Sequence, residues 1–301
     1  MKHIVSVSLG SSKRDKRSEV IIASEPFLIE RIGTDGNLER FQRMFAELDG
    51  KVDALGVGGA DLHIWVGNRR YTFRSIQKLV RVATKTPVVD GSGLKNTLER
   101  EALRWIQAQQ VLNLSQSTVL LVAAVDRFGM AQELARLAKR VIYGDLVFAV
   151  GVPIPIRSYR TVEILGRLLL PLITRLPFQW FYPTGEKQEK RTPRAEKLFL
   201  EADVIAGDWH YIRKYMPDQI PNKTVITNTV RKADIEFLRA AGAARVITTT
   251  PIIEGETFAT NVMEGVIVAL TGRHPDTLTP NDYLRTLCQL GWSPSVIDLT
   301  R

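Results

Sequence analysis

The chain has 301 residues, of which 45% are hydrophobic and 24% charged, and this balance excludes an intrinsically disordered protein. Its single cysteine, Cys288, excludes an internal disulfide, and without a Cys/His cluster no metal site is predicted, which favours a reducing, cytoplasmic compartment. The net charge of +9 comes from short, scattered basic groups, so we expect an anionic small molecule as partner, and predict neither nucleic-acid binding nor a transmembrane segment.

The first part of the chain, residues 1–113, alternates strand and helix patterns. Strands are expected at 4–9, 27–32, 52–57, 64–73 and 86–89, and helices at 38–48, 75–84 and 94–112. Asn37, which follows an Asp-Gly turn, is a suitable N-cap for the first helix. The alternation predicts an N-terminal α/β substrate domain, in which helices cover a sheet.

Residues 114–301 predict a second α/β domain with a Rossmann-like, mostly parallel sheet. The segment 119–122 is apolar throughout, as is typical of a buried parallel strand. Further strands are expected at 140–143, 204–205, 225–227 and 246–248, and helices at 129–138, 233–241, 261–270 and 281–290. Because open α/β sheets bind ligands at the carboxyl ends of their strands, the active-site cleft is expected between the two domains.

An apolar insert interrupts the second domain at about 152–194. Arg167, Pro171 and Arg175 interrupt its apolar run, which is therefore too short to span a bilayer. Burial at an interface is the main interpretation, and it predicts a homodimer formed through 164–182, including the aromatic residues of 178–182. A helix lying on a membrane surface is the alternative.

The turn at 123–129 occupies the strand-to-helix position where dinucleotide-binding folds carry G-x-G-x-x-G. The candidate cofactor-binding residues of this turn are Val125, Asp126, Arg127, Phe128 and Gly129, of which only the last is a glycine. Asp145 ends the second strand of the unit, where a carboxylate would bind a ribose 2′-hydroxyl, and this favours NAD over NADP. The alternative is an aspartate that caps a helix.

A second polar turn, residues 90–93, combines Asp90 with flexible glycines and leads into a helix that begins with Lys95 and Asn96. Asp90 and Lys95 are candidates for an acid/base pair that moves a hydroxyl proton, and Asn96 is a candidate for substrate binding. The alternative is a helix-capping turn with a solvated lysine. His210, which follows the 204–205 strand, is a further candidate for substrate binding or proton transfer, or else only begins a helix.

Several of these segments resemble the shikimate and quinate 5-dehydrogenases, over about two thirds of the chain. The turn Asp90-Gly91-Ser92-Gly93 is similar to their N-T-D-G-x-G segment, and residues 233–242 and 263–275 are similar to two of their C-terminal helices. The opening residues 5–12 resemble those of a bacterial quinate 5-dehydrogenase-like group. The resemblance implies that Asp90 belongs to the catalytic Asp/Lys pair and that Asn261 contacts the substrate. The family's lysine-bearing segment has no counterpart at 55–64, so Lys95 is the candidate for that place.

Together these features predict an NAD(P)-dependent oxidoreductase acting on a hydroxy or oxo compound, possibly a cyclic hydroxy acid of the quinate or shikimate type. Two alternatives remain open. One is a Rossmann-like protein that binds a different phosphorylated or acidic ligand, as a non-redox enzyme or a sensor. The other is an interaction scaffold that uses the apolar insert.

Overall fold

A computed structural model describes residues 1–177, 191–250, 252–253 and 256–300. It contains two large sheets rich in parallel strands, and helices pack on both. The predicted α/β fold class is confirmed. The aromatic residues of 178–182 lie outside the described residues, whereas the apolar helix that precedes them is described. Pro251 also lies outside the described residues.

The first sheet has five strands in the order β2-β3-β1-β4-β7. Their bounds are Lys2–Ser8 (β1), Lys16–Ile22 (β2), Glu25–Gly33 (β3), Ala54–Gly58 (β4) and Val88–Val89 (β7). The strands β3, β1, β4 and β7 are parallel, while β2 lies antiparallel at the edge as the first arm of a hairpin. The sequence pattern missed β2 because its first four residues are polar, and its buried apolar residues, Val20 and Ile22, come only near its end.

Two helices and a hairpin fill the connections of this sheet. The helix α1 spans Leu38–Leu48 as predicted, and the side chain of Asn37 caps it by accepting a hydrogen bond from the Arg40 amide at 2.9 Å. The segment predicted as one strand is a hairpin, His63–Val66 (β5) and Arg69–Thr72 (β6), because the chain turns at Gly67, whose φ is +60°. The helix α2 follows at Arg74–Val80.

The second sheet has six strands in the order β15-β12-β11-β10-β8-β9. Their bounds are Thr118–Leu121 (β8), Arg140–Tyr143 (β9), Val204–Ala206 (β10), Thr224–Thr227 (β11), Arg245–Thr248 (β12) and Ser295–Asp298 (β15). All are parallel except β15. The chain builds outward from β8 in both directions, so the ends of β8 and β10 form a topological switch point, the usual place of a ligand site.

Helices connect these strands, and a small hairpin follows β12. The helices are Phe128–Leu137 (α4), Glu196–Glu201 (α6), Trp209–Tyr215 (α7) and Lys232–Ala240 (α8), and the hairpin strands are Ile252–Ile253 (β13) and Glu256–Thr257 (β14). The buried strand residues of this sheet, such as Ile205 and Val246, form an apolar layer against the helices. This layer fixes the strand ends from which the polar site residues project.

Three helices join the two halves of the chain. The helix α3, Ser92–Ala108, leads from the first sheet to the second, while α9, Thr260–Thr271, and α10, Pro280–Gln289, return to the first half. Gly265 allows α9 to approach β1 closely, because an added Cβ there would lie 2.9 Å from Ile4 Cγ2. The second domain predicted from the sequence included α9, whereas this helix packs on strands of the first sheet.

The apolar insert forms helix α5, Tyr159–Ile173. One face is buried through Val162, Gly166 and Leu170, and the opposite face exposes Leu168 and Leu172, each more than 60% accessible. Among the described residues, no helix is long and apolar enough to cross a membrane. The exposed face is compatible with the predicted dimer interface, which stays a prediction.

Candidate functional site

The candidate site lies where α3 of the first half meets the strand ends of the second sheet. Lys95 on α3 binds Asp126, which follows β8, with 2.7 Å between Nζ and Oδ1. Asp61, which follows β4, lies 3.5 Å from the same ammonium. The side chains of Lys95 and Asp126 are only 12% and 17% exposed. The pair therefore forms between the two halves and is largely withdrawn from water.

The pKa values of this pair move in the same direction for different reasons. Burial raises the pKa of Asp126 to about 7, and although Lys95 opposes the rise, the charges of Asp61 and Asp208 support it. Burial would lower the pKa of Lys95, but Asp126 and Asp61 outweigh burial and raise it. The lysine consequently stays charged, while the carboxyl of Asp126 changes its protonation state near neutral pH.

Arg127 extends this pair into a buried ion network. Its side chain is 2% exposed, binds Glu99 of α3 through Nη1, and lies 2.9 Å from Asp208, which follows β10. Burial would raise the pKa of Asp208, but Arg127, His210 and Lys95 lower it to about 2. Among the described residues, this network includes the cations Lys95 and Arg127 and four carboxylates, of which Asp61 and Asp208 favour retention of a proton on Asp126.

Asp90 has a different environment from the one predicted. Its carboxylate accepts hydrogen bonds from the amides of Leu62 and His63, at 2.9 and 2.6 Å, and from the Ser92 amide at 3.0 Å. The ammonium of Lys95 is bound by Asp126 and Asp61 instead. The expected Asp90/Lys95 pair is therefore replaced in this geometry by Lys95/Asp126, because the first turn of α3 directs Lys95 toward the second sheet.

Glu264 of α9 completes the turn that contains Asp90. It accepts hydrogen bonds from the Gly91 amide at 2.7 Å, the Leu94 amide at 3.2 Å and the Tyr283 hydroxyl at 2.7 Å. Its pKa is raised to about 7, mainly by burial and then by the charge of Asp90. The N-terminus of α3 is thus occupied by carboxylates of the chain itself.

The two asparagines predicted to bind substrate both contact the protein. The buried Asn261 donates from Nδ2 to Ser6 Oγ at 2.7 Å and to the Val57 carbonyl at 3.0 Å, so it ties α9 to β1 and β4. Asn96 Oδ1 accepts from Arg100 at 3.3 Å. Asn96 nevertheless borders the cleft beside Lys95. A substrate role for either residue stays a prediction.

The turn predicted to bind a dinucleotide is already occupied. Asp145 folds back so that its Oδ1 accepts a hydrogen bond from the Val125 amide at 2.9 Å. Burial is the main cause that raises the pKa of Asp145. A pyrophosphate in the usual pose needs those turn amides, and the ribose contact needs this carboxylate. In the described geometry Asp145 serves the turn rather than a ribose.

The helix α5 also covers this turn. A Cβ added at Gly166 would lie 3.1 Å from Val66 of β5 and 4.0 Å from Val125 of the turn. The ring of Phe128 packs against Tyr159 of α5 with 5.4 Å between centroids. At Gly129, an added Cβ would lie 2.5 Å from the Asn96 carbonyl oxygen. The one glycine retained in the motif therefore serves helix packing, and the residues present do not fit a dinucleotide in the usual pose.

A small cavity lies beside the Lys95/Asp126 pair. Its volume is about 10 Å³, and its walls include His63, Trp65 and Asn96 in addition to the pair. This volume suits about one water molecule. A larger ligand would require the two halves of the protein to move apart.

His210 lies on the other side of Asp208. The Oδ1 of Asp208 accepts a hydrogen bond from the His210 amide at 2.8 Å and so caps α7. The ring nitrogen Nε2 of His210 lies 3.2 Å from Nη1 of Arg14, which follows β1. His210 is therefore at the boundary of the two halves, as the predicted cleft requires, while its role in binding stays a prediction.

The sequence pattern missed Asp61, Glu99 and Arg14. Glu99 lies four positions after Lys95, so the two residues lie on one face of α3. A charged residue on the buried face of a helix is the signal that would have found Glu99. Asp61 and Arg14 lie in connections after strands, where nothing local distinguishes them from solvated loop residues.

Comparisons with family models give two matches. Residues 93–299 match a model described as a domain of unknown function (DUF8754). The chain belongs to this family. Residues 3–90 match a second model, described as a domain of unknown function (DUF8753), so the boundary between the matches lies at the turn into α3. A search of curated proteins found no match.

Among solved structures, the chain is similar to hetero-hexameric glutamate dehydrogenase from Thermus thermophilus, with 13% identity, a TM-score of 0.46, and coverage of 96% of this chain and 73% of that one. It is also similar to a galactofuranose binding protein, with 13% identity, a TM-score of 0.38, and coverage of 97% and 99%. It is similar as well to NAD-dependent malic enzyme from Thermotoga maritima, with 12% identity, a TM-score of 0.37, and coverage of 96% of this chain and 84% of that one. These TM-scores are too low to transfer a cofactor or a substrate. The resemblance to shikimate and quinate dehydrogenases stays a prediction.

Proposed function

We propose that the protein is an enzyme that transfers a proton on a small hydroxy or oxo compound bound between its two halves. Lys95 and Asp126 are the residues that carry this activity. The observation behind the proposal is the 2.7 Å contact between them, in a site where burial and neighbouring carboxylates bring the pKa of Asp126 to about 7. A carboxyl with such a pKa suits acid/base catalysis at neutral pH.

Asp126 would act in both directions of a proton transfer. In its ionised form it takes a proton from a hydroxyl group, or from a carbon next to a carbonyl, and in its protonated form it returns one. Lys95 keeps its charge, orients the carboxylate and stabilises negative charge that develops on the oxygen of the ligand. The electron pair stays within the ligand, so this step has no net oxidation.

Of the functions predicted from the sequence, a non-redox enzyme is preferred here to an NAD-dependent oxidoreductase. A dinucleotide would have to displace Asp145 from the Val125 amide and lift α5 from the same turn. NAD as cofactor therefore stays a prediction, and NADP is disfavoured further because Asp145 and Asp126 would repel an additional phosphate.

The proposal is tested by proton exchange in D₂O. The protein is incubated with a panel of small 2-oxo and hydroxy acids, and loss of ¹H signal next to the carbonyl is followed by NMR. We expect exchange with at least one compound, and a loss of about 100-fold or more in Lys95→Met and in Asp126→Asn.

The matched control is Lys2→Met, which removes a lysine whose contact with Glu25 is also close, at 2.9 Å, but lies outside the cleft. This variant should exchange at the wild-type rate. Wild-type exchange in folded Lys95→Met and Asp126→Asn would overturn the proposal.

A further inference from the structure

The helix α5 exposes a second apolar face on the side opposite the one that packs on the protein. Ile164, Leu168 and Leu172 recur every four residues and are exposed, whereas Gly166 on the opposite side is buried against Val66. Residues four apart lie above one another on a helix, so the three side chains form a continuous line, here called the apolar stripe. A helix that is apolar on both sides is normally covered on both. The stripe therefore indicates a binding surface.

The exposed apolar residues of this protein are concentrated around the stripe. Among the described residues, eight exposed large apolar side chains lie between positions 150 and 176, and four lie elsewhere. Three of the eight, Val150, Val152 and Ile154, belong to the segment that leads into α5. Single exposed apolar residues are ordinary on a protein surface, but a group of this size marks an interaction site.

The charged residues of the same segment are nearly all arginines. From Leu146 to Pro177 the sequence has four arginines, one glutamate and no other charged residue. Arg160 lies four positions before Ile164, and Arg175 lies three positions after Leu172, so both exposed arginines border the stripe. Neither of them forms an ion pair among the described residues, whereas the other two arginines do: Arg157 with Glu201, and Arg167 with Glu163.

We propose that α5 is a membrane-surface helix that binds an anionic bilayer. The apolar stripe enters the boundary between the lipid headgroups and the acyl chains, and Arg160 and Arg175 contact the lipid phosphates. Helices of this kind bury their apolar face about 5–10 Å into that boundary, and anionic lipids attract the basic residues beside it. An apolar line bordered by arginines without carboxylate partners matches both requirements.

A second copy of the chain is the other occupant that an apolar helix face suggests, and the charges count against it. In a dimer with twofold symmetry the same surface meets itself, so Arg160 and Arg175 would face an equally basic surface. Glu163, the one carboxylate of the segment, already binds Arg167 at 2.6 Å. Like charges across an interface reduce affinity, whereas lipid phosphates neutralise both arginines. The charges therefore favour a membrane surface over the homodimer predicted from the sequence.

The proposal is tested by sedimentation of the full chain with lipid vesicles at low salt. One set of vesicles contains phosphatidylcholine alone, and the other contains equal parts of phosphatidylcholine and phosphatidylglycerol. We expect the wild type to bind the mixed vesicles at least about tenfold more tightly, and high salt should weaken this binding. Leu168→Asp combined with Leu172→Asp should reduce it at least about tenfold, and so should Arg160→Gln combined with Arg175→Gln.

Each pair of substitutions has a matched control outside α5. Ile21→Asp changes a residue of β2 that is as exposed as Leu168, and Arg43→Gln changes an exposed arginine of α1. Both controls should bind the mixed vesicles as the wild type does. None of these variants alters Lys95 or Asp126, so the outcome is independent of the proposed function.

Three results would overturn the proposal. The first is a wild type that does not bind the mixed vesicles, or that binds both sets equally. The second is wild-type binding by the variants of the stripe or of the arginines. The third is a wild type that is dimeric without lipid in analytical ultracentrifugation while Leu168→Asp combined with Leu172→Asp is monomeric, because the stripe would then be an interface between copies.

Discussion

Two of the turns that deliver a strand to a helix, the turn into α3 and the turn into α4, have amides bound by carboxylates of the chain. At the turn into α3, Asp90 and Glu264 together accept from five backbone amides. At the turn into α4, Asp145 accepts from Val125, and the neighbouring Asp126 binds a lysine from the other half. The carboxylates at the first turn bind backbone amides and the Tyr283 hydroxyl, while the second turn places the carboxyl of Asp126 beside the cleft. The difference indicates that the first turn builds the site and the second performs its chemistry.

The largest effect is expected from Arg127→Leu, which removes the cation of the second turn. Glu99 and Asp208 would then be left without their buried partner, a loss of about 3–5 kcal/mol in the free energy of unfolding. Arg43→Leu, which removes an exposed contact with Glu47, should change it by less than about 1 kcal/mol. Urea denaturation measures both. Equal losses would mean that the network contributes no more than a surface pair.

The first turn is tested by Asp90→Asn. The amide replaces a charged acceptor of three backbone groups, so we expect a loss of about 1–3 kcal/mol in stability. Proton exchange by the folded variant should stay within about twofold of the wild type, since Asp90 does not touch the Lys95/Asp126 pair. A loss of exchange as large as that of Asp126→Asn would restore Asp90 as the catalytic residue predicted from the sequence.

Each turn has a carboxyl whose pKa is raised to about 7: Asp126 lies in the second turn, and Glu264 of α9 binds the first. Such a group holds its proton in the folded state while the unfolded chain releases it. Its contribution to the free energy of unfolding therefore falls as pH rises from about 4 to about 7. Glu264→Gln should reduce the loss in the free energy of unfolding between pH 5 and pH 7 by up to about 2 kcal/mol. Urea denaturation at the two pH values measures the difference. An unchanged slope would show that Glu264 has an ordinary pKa in the folded protein.

The smallest effect is expected from added dinucleotide. Because Asp145 and α5 occupy the second turn, NAD and NADP should leave the melting temperature of the wild type unchanged. A ligand at 100 times its dissociation constant would stabilise the protein by about 2.7 kcal/mol. A shift of that size with NAD, reduced in Asp145→Ala, would support the ribose contact predicted from the sequence and would remove the contrast between the two turns.

Local patterns were sufficient for much of the fold. The bounds of α1 follow from a stripe of apolar residues, including Phe41 and Phe45, together with a cap at Asn37. The position of the second turn follows from the wholly apolar strand before it. The edge strand β2 could not be found in this way, because its polar residues resemble those of a solvated loop.

The site depended on contacts that no local pattern reveals. The partner of Lys95 lies 31 residues along the chain, and the crossing of α3 from one sheet to the other decides which carboxylate it meets. Asp145 was expected to face a ribose, but its carboxylate returns 20 residues to an amide of the turn. Residue type and position after a strand predicted that these groups were important, and packing decided what each one binds.

The proposed function requires Asp126 to exchange a proton near neutral pH beside a charged lysine. The most direct measurement is the titration of the Asp126 side-chain carboxyl by ¹³C NMR, with the signal assigned by its loss in Asp126→Asn. We expect a midpoint near 7 in the wild type and a higher one in Lys95→Met, because the lysine favours the ionised form. A midpoint near the ordinary value of 3.8 in the wild type would overturn the role of Asp126 in acid/base catalysis.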